Sequence, residues 1–187
     1  MRKSREEAAE TRQRIVDTAA AEFCRQGINN TGLSDLMAAA GLTHGGFYRH
    51  FKSKGQLVVE ACAAAARTMC ATMSHGTKPP GLAAILKGYL SAKHRDSRSE
   101  GCLFAALGSE LARADDATRD AATKEFERLL DVVAAQFDGV PRGEARRQAL
   151  FTLCAMIGAM TMARVVTDKK LSDAILRETK KHLVEAG

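Results

Sequence analysis

The chain has 187 residues, of which 45% are apolar and 27% charged, with only 15 Gly and 3 Pro. Those proportions suit one compact domain, or a small domain fused to a larger one, and exclude collagen-like, low-complexity and wholly disordered chains. Lys and Arg number 28 against 22 Asp and Glu, a net charge of +6 that favours polyanions or anionic surfaces as partners.

The longest uncharged apolar stretch, Gln148 to Ala163, is bounded by Arg147 and Arg164. It is shorter than the roughly 20 residues that span a bilayer, so no membrane helix is expected. Met1 to Glu7 passes straight into charged and polar residues, without the apolar segment of a secretory signal, and a cytoplasmic protein is expected. Cys24, Cys62, Cys70, Cys102 and Cys154 are odd in number, widely spaced and lack C-x-x-C, the usage of reduced thiols rather than of a disulfide scaffold or zinc finger.

Long helices with few breakers dominate the pattern, and no segment reads as a strand, so the expected fold is all-α. Ile15, Ala19 and Phe23, flanked by Val16 and Ala20, predict an amphipathic helix over residues 10–26 that ends before Gly27. Leu33, Leu36, Met37 and Ala40 predict a short second helix, stopped at Gly41. Thr43 is the expected N-cap of a third, shorter helix that buries Phe47 and Phe51. Ser53 with Gln56 matches a capping box, which opens a long fourth helix to about Met73. Pro79-Pro80 breaks the chain. Five further helices are expected over 82–93, 103–112, 117–137, 144–166 and 172–185, making nine, with His94 to Gly101 as a solvated loop and Asp138 to Gly143 as a turn.

Two short helices joined by Gly41-Leu42-Thr43 have the spacing of a helix-turn-helix, in which Gly permits the tight turn and Leu42 pins both helices to the core. The third helix is then the recognition element, with Thr43-His44-Gly45-Gly46 in its first turn. Each of the two glycines costs about 1 kcal/mol of helix stability relative to Ala, a cost explained if the backbone must approach DNA closely. Tyr48, Arg49 and His50 lie on the face away from Phe47 and Phe51, where they would meet phosphates together with Lys52 and Lys54. Helix N-termini add anion sites, and the basic tail of Arg2, Lys3 and Arg5 would reach adjacent backbone or minor groove. Arg12 and Arg14 read as ordinary solvated charge.

The run Leu33 to Leu57, above all Ala39-Ala40-Gly41-Leu42-Thr43-His44-Gly45-Gly46-Phe47-Tyr48-Arg49-His50-Phe51-Lys52-Ser53-Lys54, resembles the DNA-binding domain of TetR-family transcriptional repressors. With the Thr11-Arg12-Gln13-Arg14-Ile15 opening, the resemblance covers roughly residues 8–60 in detail; beyond them only the all-helical plan is similar. It implies a DNA-binding domain over 1–52 and a helical effector-binding and dimerisation domain over 53–187. It further implies that Thr43, His44, Gly45 and Gly46 contact base edges or nearby phosphates, that Tyr48, His50 and Lys54 grip phosphates, and that Ser34 reaches a base. The chain departs from the family at Gly32, where a capping Thr or Ser is usual, leaving Thr31 or Asp35 to cap.

In that family the C-terminal domain binds an inducer, and its last two long helices form a four-helix bundle between two copies. The segment Ala149 to Ala163 is apolar on nearly every side, as a helix between its own domain and a partner would be. Ala155, Gly158, Ala159 and Met162, with Ile175 and Leu183 on the last helix, are the expected interface. Met69, Met73, Phe104, Leu107, Phe126, Leu130, Met156 and Met160 are expected to line an apolar effector pocket, and each also suits plain core. Cys102 follows a polar loop at a helix N-terminus, where the dipole raises thiol reactivity, but its first reading is a buried structural thiol. Gly101-Cys102-Leu103-Phe104 to Glu110-Leu111-Ala112 also resembles a TetR-family subset that senses electrophiles or oxidants through cysteine. His75, His94 and His182 share no metal-ligand spacing, and no motif calls for a cofactor or for enzyme chemistry. The expected protein is therefore a homodimeric repressor on an inverted-repeat operator in double-stranded DNA, released by a small-molecule or electrophile effector. Thiol gating through Cys102, and a helical carrier or enzyme without specific DNA binding, are the alternatives.

Overall fold

The computed structural model describes residues 5–74 and 81–185. Arg2, Lys3, His75 and the Pro79-Pro80 break lie outside the described residues. Among those described there are nine α-helices, one 3₁₀ helix and no strand.

Helix α1 (Arg5–Gln26) buries Ile15, Val16, Ala19, Phe23 and Cys24 along one face. It stops at Gly27, whose φ of 92° is open to glycine and strained for any other residue. Helix α2 (Leu33–Ala39) buries Leu36 and Met37, and Gly32 at its start supplies no side-chain cap. Nor does Thr31, whose hydroxyl donates to the Gly27 carbonyl at 2.6 Å and so braces the α1–α2 turn. Gly41, at φ 71°, reverses the chain, and the Leu42 amide closes the reversal on the Met37 carbonyl at 2.8 Å.

The expected third α-helix is a 3₁₀ helix over His44–Arg49, and Thr43 makes no side-chain capping bond to it. Six residues that include Gly45-Gly46 have too little α propensity to close full turns, and the tighter i to i+3 winding wins. Its Phe47 is fully buried and stacks on Phe51 with ring centroids 5.5 Å apart. Helix α3 (Lys54–Met73) opens as expected, with Ser53 Oγ accepting from the Gln56 amide at 3.1 Å; the Gln56 side chain returns to the Lys52 amide, at 2.8 Å. Arg12 fastens α1 to α3 through a bidentate pair with Glu60 at 2.5 and 2.6 Å, which holds that carboxyl below the usual range, and lies over the Phe51 ring.

Where one helix was expected over 82–93 there are two, α4 (Leu82–Tyr89) and α5 (Ala92–Asp96). The break falls at Leu90-Ser91, because Ser91 Oγ accepts from the His94 amide at 3.2 Å and starts a new helix. The stretch from His94, expected as a solvated loop, begins inside α5 and carries a buried side chain. Arg95 is 8% exposed, with Nη1 donating to Asp173 at 2.6 Å and Ser172 at 2.9 Å, which ties α5 to the last helix.

The remainder is α6 (Leu103–Leu111), α7 (Asp116–Ala134), α8 (Arg142–Val165) and α9 (Lys169–Glu185). Helix α8 runs on past the arginines that bound its apolar stretch, so by length and composition alone it is long enough to cross a bilayer. One face of it, Ala149, Leu153, Met156, Met160 and Ala163, is buried within the protein. Two apolar cores result. The first joins α1, α2, the 3₁₀ helix and the first half of α3, and the second joins the end of α3 to α4, α7, α8 and α9. Helix α6 contributes Leu107 to the first and Ala105 to the second, so it bridges them.

Candidate DNA-binding face and effector cavity

The burial of Phe47 and Phe51 fixes which side of the 3₁₀ helix meets solvent. Thr43, His44, Gly45 and Arg49 are exposed, Gly46 is half-buried, and Tyr48 is 65% exposed although aromatic. Ser34 of α2 is exposed and His50 half-buried. Tyr48 is held by edge contacts with Phe47 at 5.2 Å and His44 at 6.2 Å, so the aromatic and basic groups form one ordered surface. Arg49 pairs with no carboxylate among the described residues. Lys54 differs from the rest, since its ammonium donates to the Ile28 carbonyl at 2.6 Å and ties the α1–α2 turn to the start of α3. Arg12, committed to Glu60, is a brace between helices rather than a solvated charge.

The α1–α2 turn is also gripped from the C-terminal half. Glu110 of α6 accepts from the Asn29 amide at 3.0 Å, and a Cβ added to Gly27 would lie 2.6 Å from the same carboxylate. Nothing in the spacing of Glu110 marks it in the sequence; only the fold brings it to a turn 81 residues away.

A cavity of about 560 Å³ opens between α3, α4 and the α5 region. Its apolar wall includes Met69, Met73, Ile85 and Tyr89, and Thr68, Thr72, Ser91, Lys93, His94 and Glu100 supply polar groups. Of the expected lining residues Met69 and Met73 are there. Leu107 lies in the first core, and Leu130, Met156 and Met160 lie in the second, at 4% exposure or less. Phe104 and Phe126 are half-buried and meet edge to face at 5.5 Å. These side chains fill space, whereas the cavity lies where short hydroxyl-bearing residues leave it open.

At one edge of the cavity stands His94. Its Nε2 accepts from the Cys102 amide at 3.1 Å, so the proton sits on Nδ1, which donates to the Tyr89 carbonyl at 2.8 Å. Burial pushes its pKa down, the bond to Tyr89 opposes this, and the charge of Arg164 adds to the depression. The unfolded chain therefore takes up a proton near the ordinary value while the folded chain does not. Stability is expected to fall as pH drops below about 6.5, by at most about 1.4 kcal/mol per unit. Urea denaturation of wild type and His94→Gln between pH 5 and 8 measures this, and parallel curves for the two proteins would exclude His94 as the source.

Cys102 occupies the N-cap position of α6 and is 1% exposed, the burial expected of a structural thiol. A reagent reaches its thiol only if this region opens. Burial also pushes Cys24 up to about 11 and Cys62 up to about 12. Cys154 is the exposed cysteine of the described five.

Along α8 a second face is apolar yet uncovered: Leu150, Phe151, Met162 and Val165 are 45 to 68% exposed, with Gly158 exposed among them. Leu171 and Val184 of α9 are about half exposed. Of the expected interface residues, Gly158 and Met162 lie on this face, and Ala155 and Ile175 are half-buried. Ala159 and Leu183 turn inward to the second core at 8% and 5% exposure, which corrects their assignment. For Ala159 the reason is that a helix apolar all round, as α8 is, gives periodicity no means of telling its inner from its outer face.

A helix-turn-helix with an ordered basic and aromatic tip, joined to a helical domain with a cavity, defines a DNA-binding regulator of transcription. Residues 15–61 match the bacterial regulatory proteins of the tetR family, and residues 81–181, more than half of the chain, match the C-terminal domain of LmrA/YxaF-like transcriptional regulators. The chain belongs to the TetR family, whose members are transcriptional regulators and not enzymes. It is 26% identical over 176 residues to the HTH-type transcriptional repressor DhaR of Mycobacterium sp. (strain GP1), covering 88% of each chain. It is 48% identical over 59 residues to the HTH-type transcriptional regulator AcrR of Shigella flexneri, a match to 32% of this chain and 27% of that one. The chain thus spans about a quarter of AcrR's length. Among solved structures, a TetR transcriptional regulator from Chloroflexus aurantiacus J-10-FL superposes with a TM-score of 0.74 at 27% identity, covering 95% of this chain and 94% of the other.

Proposed function

We propose that the chain is a homodimeric cytoplasmic repressor that binds an inverted-repeat operator and is released by a small effector entering the 560 Å³ cavity. The observation that carries this reading is the exposed Thr43 to Arg49 tip seated on a fully buried Phe47, which presents the side chains of a recognition element from a fixed base. In a symmetric dimer two such tips would enter successive major grooves, roughly 34 Å apart. Thr43, His44, Gly45 and Gly46 would face base edges; Ser34 would reach a base from α2. Tyr48, Arg49, His50 and Lys54 would hold phosphates, Lys54 from a position already fixed by Ile28. The cavity's Met and Tyr wall and its Lys93, His94 and Glu100 groups suit an effector with an apolar body and a hydrogen-bonding end. Such a ligand lowers DNA affinity only through unequal affinity for two conformations.

The test is selection of genomic fragments by the purified protein, followed by fluorescence anisotropy on the enriched fragment, with competitor DNA and several salt concentrations. Specific binding is expected. Arg49→Ala should weaken binding to all sequences and lower the salt slope by about one, while His44→Ala should change sequence preference. No enrichment of any fragment, or variants that bind as wild type does, would overturn the docking.

A further inference from the structure

A second concavity, of about 400 Å³, lies where α5, the end of α8 and the start of α9 meet. Its charged lining is Arg95, Asp96, Arg98, Arg164 and Lys169. Asp96, the acid of this set, is already taken, since Arg95 donates to both its oxygens, at 2.8 and 3.3 Å. Arg98, Arg164 and Lys169 have no carboxylate within ion-pair distance among the described residues. They nonetheless line the same concavity: burial, joined by the charge of Arg98, pushes the Arg164 guanidinium down, and the bond from Arg95, joined by the charges of Lys169 and Arg164, holds the Asp96 carboxyl low.

Arg164 is also held in place before any ligand arrives. Its Nε donates to the Arg95 carbonyl at 3.1 Å and its Nη2 to the His94 carbonyl at 3.0 Å. The backbone of Gly101 packs so tightly on it that an added Cβ would lie 2.5 Å from Nη2. Capping of the α5 carbonyls accounts for Arg164 but leaves Arg98 and Lys169 unexplained. Arg98, Arg164 and Lys169 face one concavity whose one acid among the described residues, Asp96, is bonded to Arg95, so positive charge is in excess there and an anion relieves their mutual repulsion. Guanidinium forks and an ammonium match the oxygens of a phosphate group, and the volume suits a small molecule rather than a duplex. We propose that this pocket is a binding site for a small phosphate-bearing anion, separate from the apolar cavity and from the DNA-binding tip.

Pyrophosphate and inorganic phosphate serve as probes, titrated calorimetrically into the full chain at constant ionic strength against sodium chloride controls. Saturable pyrophosphate binding is expected, at one ion per protomer in this pocket. Arg98→Ala with Lys169→Ala removes two exposed side chains, so the fold should persist, and should weaken binding by about tenfold or more. Arg49→Ala, at the DNA-binding tip, should retain it. Pyrophosphate that binds no better than chloride would overturn the proposal. So would a double variant that titrates as wild type does, or loss of binding in Arg49→Ala alone, which would place the anion on the DNA-binding face.

Discussion

Phe47→Ala is expected to destabilise the N-terminal half by about 3 to 5 kcal/mol, because the ring is fully buried and its removal leaves a void next to Phe51. That is a large share of the roughly 5 to 15 kcal/mol by which a domain is usually stable. DNA binding should be lost with it, since His44, Tyr48 and Arg49 are positioned only by the seating of that ring. Tyr48→Ala is the matched control. The neighbouring ring is 65% exposed, so its loss should change stability by no more than about 0.5 kcal/mol while still weakening DNA binding. Urea denaturation followed by circular dichroism separates the two. Equal destabilisation by both substitutions would show that Phe47 is not the anchor.

Phe151→Glu is expected to split the dimer and lower operator affinity by about 10²-fold or more. The ring is 68% exposed in the protomer, so a carboxylate there meets water and costs the monomer little. In a two-fold interface each patch faces its own copy, and two glutamates would then be brought together where apolar surface was to be covered. Binding both half-sites at once gains some 10² to 10⁴ over one, and that gain disappears with the dimer. Sedimentation or light scattering should report a mass of about 20.1 kDa, the value of one chain, with the helical signal unchanged. A variant that remains dimeric would move the interface off this face of α8.

The helix-turn-helix was legible in the sequence because its signals are local: Gly41 at the reversal, Leu42 beneath it, and Phe47 and Phe51 one turn apart. Short-range bonds decide such features. The cap at Ser53 was read for the same reason. Gly45-Gly46 was recognised as unusual, yet its cost to an α-helix was assigned to close approach to DNA rather than to a change of winding. The split at Leu90-Ser91 was hidden by an apolar pattern that continues through it. Burial of Arg95 depends on Ser172 and Asp173, far along the chain, and no local pattern announces it. Apart from Met69 and Met73, the cavity was missed for a related reason. Methionines and aromatic residues at helical spacing indicate which side chains will be inside, whereas a void is set by how the helices fail to close, here at Thr68, Thr72 and Ser91. The same limit applies to Ala159, since α8 could be rolled by a residue without violating its pattern.

Helix α6 is held at both ends. Its first residues hang from His94, at the edge of the cavity, and Glu110 near its last holds the turn before α2. At 9 residues it is about 14 Å long, too short to bend appreciably, so a shift imposed at one end arrives at the other almost undiminished. Transmission then needs no melting of secondary structure, only a translated strut. Its strength has a ceiling, however. A hydrogen bond to a charged group contributes about 1.5 to 3 kcal/mol at most, and less when solvated, as this one is. That lies within the usual coupling of about 1 to 3 kcal/mol, or roughly 5- to 150-fold in affinity. If the proposed effector acts through this strut, each protomer would contribute a graded change in operator affinity within that range.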